Sequence, residues 1–206
     1  LCEPGSAGLA SHRRGGGGAG QTGAAPVLRA TPIATEHLRA DGACLLPFPS
    51  SVFLDPDETS PTGRRLHLSA ELFQENTSGK PYEPVRMNLA DGFSPSCEIL
   101  AYFPDRIDGA SVPSILDAEA SLEPGSATVI VDMETGERVV HFAEPDAQVL
   151  RDDERQTLIL RPMTRLATSR RYAVGLTTAL RTLEGDVPAS PAGWAAVLDG
   201  SASSPM

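Results

Sequence analysis

The sequence reads TLILRPM at residues 157–163, LATS at 166–169 and RYAVGL at 171–176. Two short apolar runs flank a compact polar connection, which is typical of two β-strands joined at a corner. In β-sandwiches, a Tyr near the start of the strand after such a corner often bonds its hydroxyl to main chain slightly upstream. Tyr172 follows Leu166 in this way, so we expect a largely buried ring whose hydroxyl bonds the main chain of the connection.

Short apolar runs recur through residues 105–187, separated by turn signals at intervals of roughly ten residues. The run at 128–131 predicts a strand, and the ETGE turn at 134–137 predicts a hairpin in which 138–142 pairs back on it. The apolar positions of 113–122 predict a short helix. Together these patterns predict an all-β fold, an antiparallel Ig-like β-sandwich over residues 105–187.

Residues 44–104 are interpreted as a Pro-rich N-terminal lobe. Pro47 and Pro49 exclude a helix interior and a central strand, because proline lacks the main-chain N–H that both structures use. We therefore expect an extended opening that packs Leu46, Phe48 and Phe53 on a neighbouring element.

Asp91 and Gly92 predict a turn before a buried strand at 98–104. The adjoining GFSPS at 92–96 falls one residue short of the Gly-x-Ser-x-Gly nucleophile elbow. Its last position is Ser, where the sharp turn of an elbow needs Gly, and an elbow runs into a helix. Ser94 is therefore not assigned as a nucleophile.

The two ends of the chain are rich in Gly, Ala, Ser and Pro. Residues 1–43 are interpreted as a flexible leader and 188–206 as a C-terminal linker, because such composition buries too little apolar surface to offset ordering entropy. Cys2 is a possible site of lipid anchoring, although Leu1 stands where a lipobox has a small residue. No apolar run reaches the ~20 residues of a transmembrane helix.

The formal net charge of −10 argues against a nucleic-acid partner, since binding a polyanion needs a basic face. The acidic cluster Asp55, Asp57 and Glu58 lacks the spacing of a calcium loop and is interpreted as a solvated turn, followed by a short strand within 62–68. Three scattered cysteines are too few for a zinc site. No cofactor is predicted.

Histidine supplies the only candidate bases, and none is assigned a catalytic role. His12 and His37 lie in the leader, while His67 and His141 lie inside strand patterns, where a structural or solvent-facing role is expected. The sequence contains no HExxH, CxxC or GxGxxG signature. No catalytic residue is therefore predicted in this chain.

Three motifs carry a family resemblance: PFPS at 47–50, DGFS at 91–94, and LILRP…YAVGLT between 158 and 177. Together they resemble the N-terminal domain of bacterial virulence-factor-type extracellular lipases, and the resemblance covers roughly residues 44–187. Ala90 departs from the family pattern, which usually has Leu before the Asp. In that family the domain precedes an α/β-hydrolase domain that holds the catalytic residues, so none can be transferred to this chain.

The resemblance implies a non-catalytic accessory domain of a secreted or surface bacterial lipase or esterase. Its partner would be a downstream hydrolase domain, and its location extracellular or in the cell envelope. The alternative is a free-standing Ig-like binding or adhesion module on a tether.

Cys44 and Cys97 are candidates for a disulfide. Both adjoin apolar extended segments of the same lobe, and the extracellular location implied by the resemblance would permit the bond. The alternatives are two buried thiols that act as small apolar side chains, and competition from Cys2 as a partner.

Overall fold

The computed structural model describes residues 48–70, 73, 75–149 and 156–189, together with the backbone of Cys2–Pro4. The described residues form short strands, a few 3-10 helices and connecting turns. The strands are β1 Cys2–Pro4, β2 Leu54–Pro56, β3 Arg64–Leu66, β4 Ile99–Phe103, β5 Thr128–Asp132, β6 His141–Pro145, β7 Gln156–Pro162 and β8 Tyr172–Leu176. The 3-10 helices are Ser51–Phe53, Pro84–Leu89, Gly109–Ser111 and Ala118–Leu122. The predicted all-β fold is confirmed at this level.

Two three-stranded sheets make up most of the described structure. In one, β7 lies between β4 and β6, and both pairings are antiparallel. In the other, β8 pairs antiparallel with β5 and parallel with β1. The corner at 166–169 therefore connects β7 of one sheet to β8 of the other.

One buried cluster takes side chains from both sheets. Alternation along β7 explains its share: Leu158 and Leu160 are fully buried, while Thr157 and Ile159 point to the opposite face. The cluster's other strand residues include Phe103, Ile130, Ala143, Tyr172 and Val174. Burying each large apolar side chain contributes about 1.5–3 kcal/mol, so this shared core is the main term holding the sheets together.

A smaller cluster lies in the N-terminal lobe, around the β2–β3 hairpin. Phe53, Leu54, Leu66 and Leu68 are buried there, with Phe48 among the residues that pack against them. Phe48 also exchanges two main-chain hydrogen bonds with Leu100 of β4, at 3.0 and 2.7 Å. The lobe is thereby joined to β4, an edge strand of the sheet that also contains β7 and β6.

The predicted hairpin over 128–142 is correct through the turn and the pairing of 138–139 with β5, and it is wrong for the residues that follow. Gly136 adopts φ +73° in that turn, and the Val139 N–H donates to the Ile130 carbonyl at 2.8 Å. The chain then leaves β5, and β6 pairs over five residues with β7 instead. Turn chemistry correctly predicts the reversal, but the longer ladder and the burial of His141 draw the strand into the other sheet.

Two further local predictions need correction. Asp55 and Pro56 belong to β2, and the turn comes after them, closed by the Asp57 N–H bonding the Gly63 carbonyl at 2.9 Å. The helix predicted over 113–122 is reduced to the 3-10 helix Ala118–Leu122, and Leu116 before it is 95% exposed. These apolar side chains do not pack as an amphipathic helix would require.

Several predictions concern residues outside the described part of the chain. They involve His12, His37, Cys44 and most of the two predicted end segments. Among the described residues, no helix is both long and apolar enough to cross a membrane.

Candidate functional site

The corner between β7 and β8 has the geometry that its sequence predicts. The Tyr172 ring is 3% exposed, and its hydroxyl oxygen accepts the main-chain N–H of Ala167 at 2.8 Å. Leu166 is also buried, and its N–H donates to the Pro95 carbonyl at 2.9 Å. Ser169 adopts φ +57°, in the left-handed region that turns the chain into β8. The corner is thus held by two hydrogen bonds, one to the Tyr172 hydroxyl and one to the Pro95 carbonyl.

A buried carboxylate ties this corner to the turn after β5. Asp132 accepts a hydrogen bond from the Arg170 guanidinium at 2.7 Å and others from the main-chain N–H groups of Glu134 and Thr135. The Arg170 guanidinium also lies 3.3 Å from the Glu134 carboxylate. The hydrogen bond from Arg170 is the largest cause that lowers the pKa of Asp132. We interpret these contacts as structural, because each of them joins residues of the corner or of the turn after β5.

The segment with Asp91, Gly92 and Ser94 bends and then enters a strand. The Asp91 carbonyl accepts from the Thr62 hydroxyl at 2.7 Å, and Gly92 is not among the glycines with positive φ. Ser94 is exposed, and its hydroxyl oxygen accepts the Ser96 N–H at 3.2 Å. Since β4 follows, the main chain here differs from a nucleophile elbow, which continues as a helix.

Cys97, at the end of this segment, is half-buried and packs against the larger core. The predicted disulfide to Cys44 stays a prediction, because Cys44 lies outside the described residues.

Charged side chains of the β2–β3 hairpin pair with one another. Asp57 bonds the Thr59 hydroxyl and main-chain N–H as well as the Arg65 guanidinium, and these contacts lower the pKa of Asp57 to about 2. Exposed His67 contacts the carboxylate of Asp55. In the part of the chain that the structure describes, no three His, Cys, Asp or Glu side chains are grouped to hold a metal ion.

His141 lies at the centre of a buried polar network that sequence reasoning missed. Its ring Nδ1 lies 2.8 Å from the Val139 carbonyl, and its Nε2 lies 2.8 Å from the Thr128 hydroxyl. A carbonyl oxygen only accepts, so Nδ1 carries the proton and Nε2 accepts from Thr128. The main-chain N–H of His141 donates to the Ser121 hydroxyl at 3.1 Å. Burial lowers the pKa of His141, which keeps the ring neutral.

This network joins three elements: β6, β5 and the 3-10 helix Ala118–Leu122. Thr128, His141 and Ser121 are each 0% exposed. They are separated by irregular sequence distances, so no spacing motif could have identified them. The one usable signal was a His at an inward position of a strand pattern.

A shallow groove of about 560 Å³ lies beside this network. Its lining consists mainly of small residues in 109–114 and 123–127, and it includes the carboxylates Asp117 and Glu123. The groove is broad and open, and its described walls offer no histidine or cysteine. This geometry favours no particular chemistry.

No family model matches the chain, and no curated protein and no solved structure is significantly similar to it.

Proposed function

We propose that residues 44–187 form a non-catalytic accessory domain of a secreted or surface bacterial lipase or esterase, in which residues 105–187 are an Ig-like β-sandwich. The observation that carries this proposal is that three described side chains of catalytic type are engaged in structural contacts. His141 is sealed in a hydrogen-bonded network, the Ser94 hydroxyl caps its own turn, and His67 pairs with Asp55 on the hairpin. A triad needs a serine and a histidine that bond each other, and these three residues have other partners.

The corner between β7 and β8 supports the proposal of an Ig-like fold. A buried Tyr that bonds main chain upstream, at a connection between two sheets sharing one core, is a hallmark of Ig-like sandwiches. Tyr172 supplies that feature, and the alternating burial of β5, β7 and β8 is what two facing sheets require.

The accessory-domain part rests on the resemblance, and its three motifs lie together. The Phe48 ring of the first motif meets the Phe93 ring of the second edge-on, with centroids 5.3 Å apart. Pro95, the residue directly after the second motif, accepts the N–H of Leu166, which lies within the span of the third. Motifs separated by more than a hundred residues of sequence therefore form one connected unit, as expected if they define a single domain type.

Ester hydrolysis tests the non-catalytic part. The purified chain is assayed on short-chain p-nitrophenyl esters beside Ser94→Ala and the control Ser96→Ala. We expect no turnover above buffer for all three proteins. Turnover that Ser94→Ala abolishes and Ser96→Ala retains would refute the proposal.

The reading frame of the gene distinguishes the two hypotheses, an accessory domain of a hydrolase and a free-standing adhesion module. Continuation past Met206 into a segment with Gly-x-Ser-x-Gly supports the accessory role, and deletion of 44–187 should then lower the hydrolase's thermal stability or secretion. A stop codon directly after Met206 would instead favour the free-standing binding module.

A further inference from the structure

We propose that His141 is a pH-sensitive latch that holds the segment 113–122 over the outer edge of β6. Two main-chain contacts form this cover. The His141 N–H donates to the Ser121 hydroxyl at 3.1 Å, and the Ala143 N–H donates to the Pro113 carbonyl at 2.9 Å. Both amides point away from β7, because alternate residues of a strand direct their main-chain groups to opposite sides. An uncovered edge of this kind is open to pairing with another chain.

The ring of His141 fixes the position of this cover. It is fully buried, and it spans from the Val139 carbonyl to the Thr128 hydroxyl, which belongs to the opposite sheet. In the neutral ring, Nδ1–H donates and Nε2 accepts, so both contacts are satisfied. Protonation turns Nε2 into a donor, and the Thr128 hydroxyl would have to reverse its own proton to remain bonded.

No neighbouring charge in the described structure offsets an imidazolium at this position. Arg138 bears on the pKa of His141, and its charge has the same sign. The other charged groups on β6 and its neighbours pair with one another or lie on the 3-10 helices and their caps. Arg161 of β7 pairs with Glu98 and with Glu144 of β6, Asp132 of β5 pairs with Arg170, and Glu119, Glu123, Asp117 and Asp108 flank or belong to the 3-10 helices.

Protonation therefore favours a state in which the ring reaches water. The ring shares its residue with the N–H that bonds Ser121, so its departure from the pocket loosens the 3-10 helix Ala118–Leu122 from β6. The equilibrium constant for release of this helix from β6 should rise by up to about tenfold for each pH unit below ~6.5. This is the dependence expected when one proton binds only the released state.

Hydrogen exchange followed by NMR tests the latch on the whole chain. The imidazole of His141 should titrate below the ordinary histidine pKa of about 6.5. Between pH 7.5 and pH 5, after correction for intrinsic rates, protection of the His141 and Ala143 amides should fall at least about tenfold. Protection of the Phe142 and Glu144 amides, which face β7, should be retained.

His141→Gln provides the matched control, because its side-chain amide offers both a donor group and an acceptor but does not titrate. Its edge amides should show no pH-dependent loss. The wild-type titration and the contrast between edge and ladder amides decide the matter even if this variant unfolds. A His141 pKa at or above 6.5, equal loss at all four amides, or the same loss in a folded His141→Gln would each overturn the latch.

Discussion

The hydroxyl oxygen of Tyr172 accepts the main-chain N–H of Ala167 at 2.8 Å and so closes the connection between the two sheets. Tyr172→Phe keeps the buried ring and removes only this acceptor. Because Ala167 is itself exposed, water can reach the released N–H, and we expect a loss of about 1 kcal/mol in the free energy of unfolding. Urea denaturation measures it.

Tyr82→Phe is the control for this change, since Tyr82 is 47% exposed and its ring rests on Phe73. It should alter stability by less than about 0.5 kcal/mol. Equal effects of the two substitutions would show that the Tyr172 hydroxyl contributes nothing specific to the corner.

Ser169 has φ +57° in the same corner, a conformation that costs an L-residue about 1–2 kcal/mol. Glycine adopts it without that cost but loses more backbone entropy on folding. We therefore expect Ser169→Gly to raise the free energy of unfolding by about 0.5–1 kcal/mol. Thr168→Gly is the adjacent control, where φ is negative, and it should lower stability by a similar amount. Destabilisation by both substitutions would contradict the argument.

The bond between Asp132 and Arg170 predicts a dependence of stability on pH. The pKa of Asp132 is lowered in the folded protein, so the unfolded chain binds the proton more readily. Its contribution is therefore complete above the unfolded pKa of about 3.9 and disappears as the pH falls through the lower folded pKa. Asp132→Asn should reduce stability at pH 7 and flatten the decline of stability in acid.

Asp117→Asn is the matched control for that experiment. Asp117 is exposed and its side chain makes no capping hydrogen bond to the 3-10 helix that follows it. Urea midpoints for the three proteins between pH 7 and pH 2.5 give the comparison. An acid decline that is unchanged in Asp132→Asn would exclude Asp132 as its source.

The strands around the corner could be predicted because their signals are local. Alternation at 157–160 fixes which face of β7 is buried, and the polar connection marks where the chain leaves the sheet. The destination of β6 could not be predicted in this way. Its partner β7 is chosen by burial of His141 and Ala143 against residues distant in sequence, whereas the turn at Gly136 indicates only that the chain reverses.

The polar contacts also divide into those that local sequence predicts and those that depend on the sheet order. Asp57 and Thr59 are two residues apart, and an Asp at a turn commonly bonds main chain two residues on. The contact of Arg161 with Glu98 and Glu144 depends on which strands flank β7, so it follows only from the sheet order. To predict the network of His141, Thr128 and Ser121, one would have to know how both sheets and the 3-10 helix Ala118–Leu122 pack together.

The disulfide between Cys44 and Cys97 remains the sharpest chemical prediction from the sequence. It closes a long loop and should contribute ~4 kcal/mol in the chain-entropy model. Phe48 pairs antiparallel with Leu100, which lies three residues after Cys97 in the sequence.

Thiol titration of the unfolded, unreduced protein tests whether Cys44 and Cys97 form this disulfide. With the disulfide, one thiol should react, that of Cys2, and Cys44→Ser should raise the count to two by releasing Cys97. Cys2→Ser should leave no reactive thiol. Three reactive thiols in the wild-type chain would reject the pairing. The same assay after full reduction should give three thiols and calibrates the count.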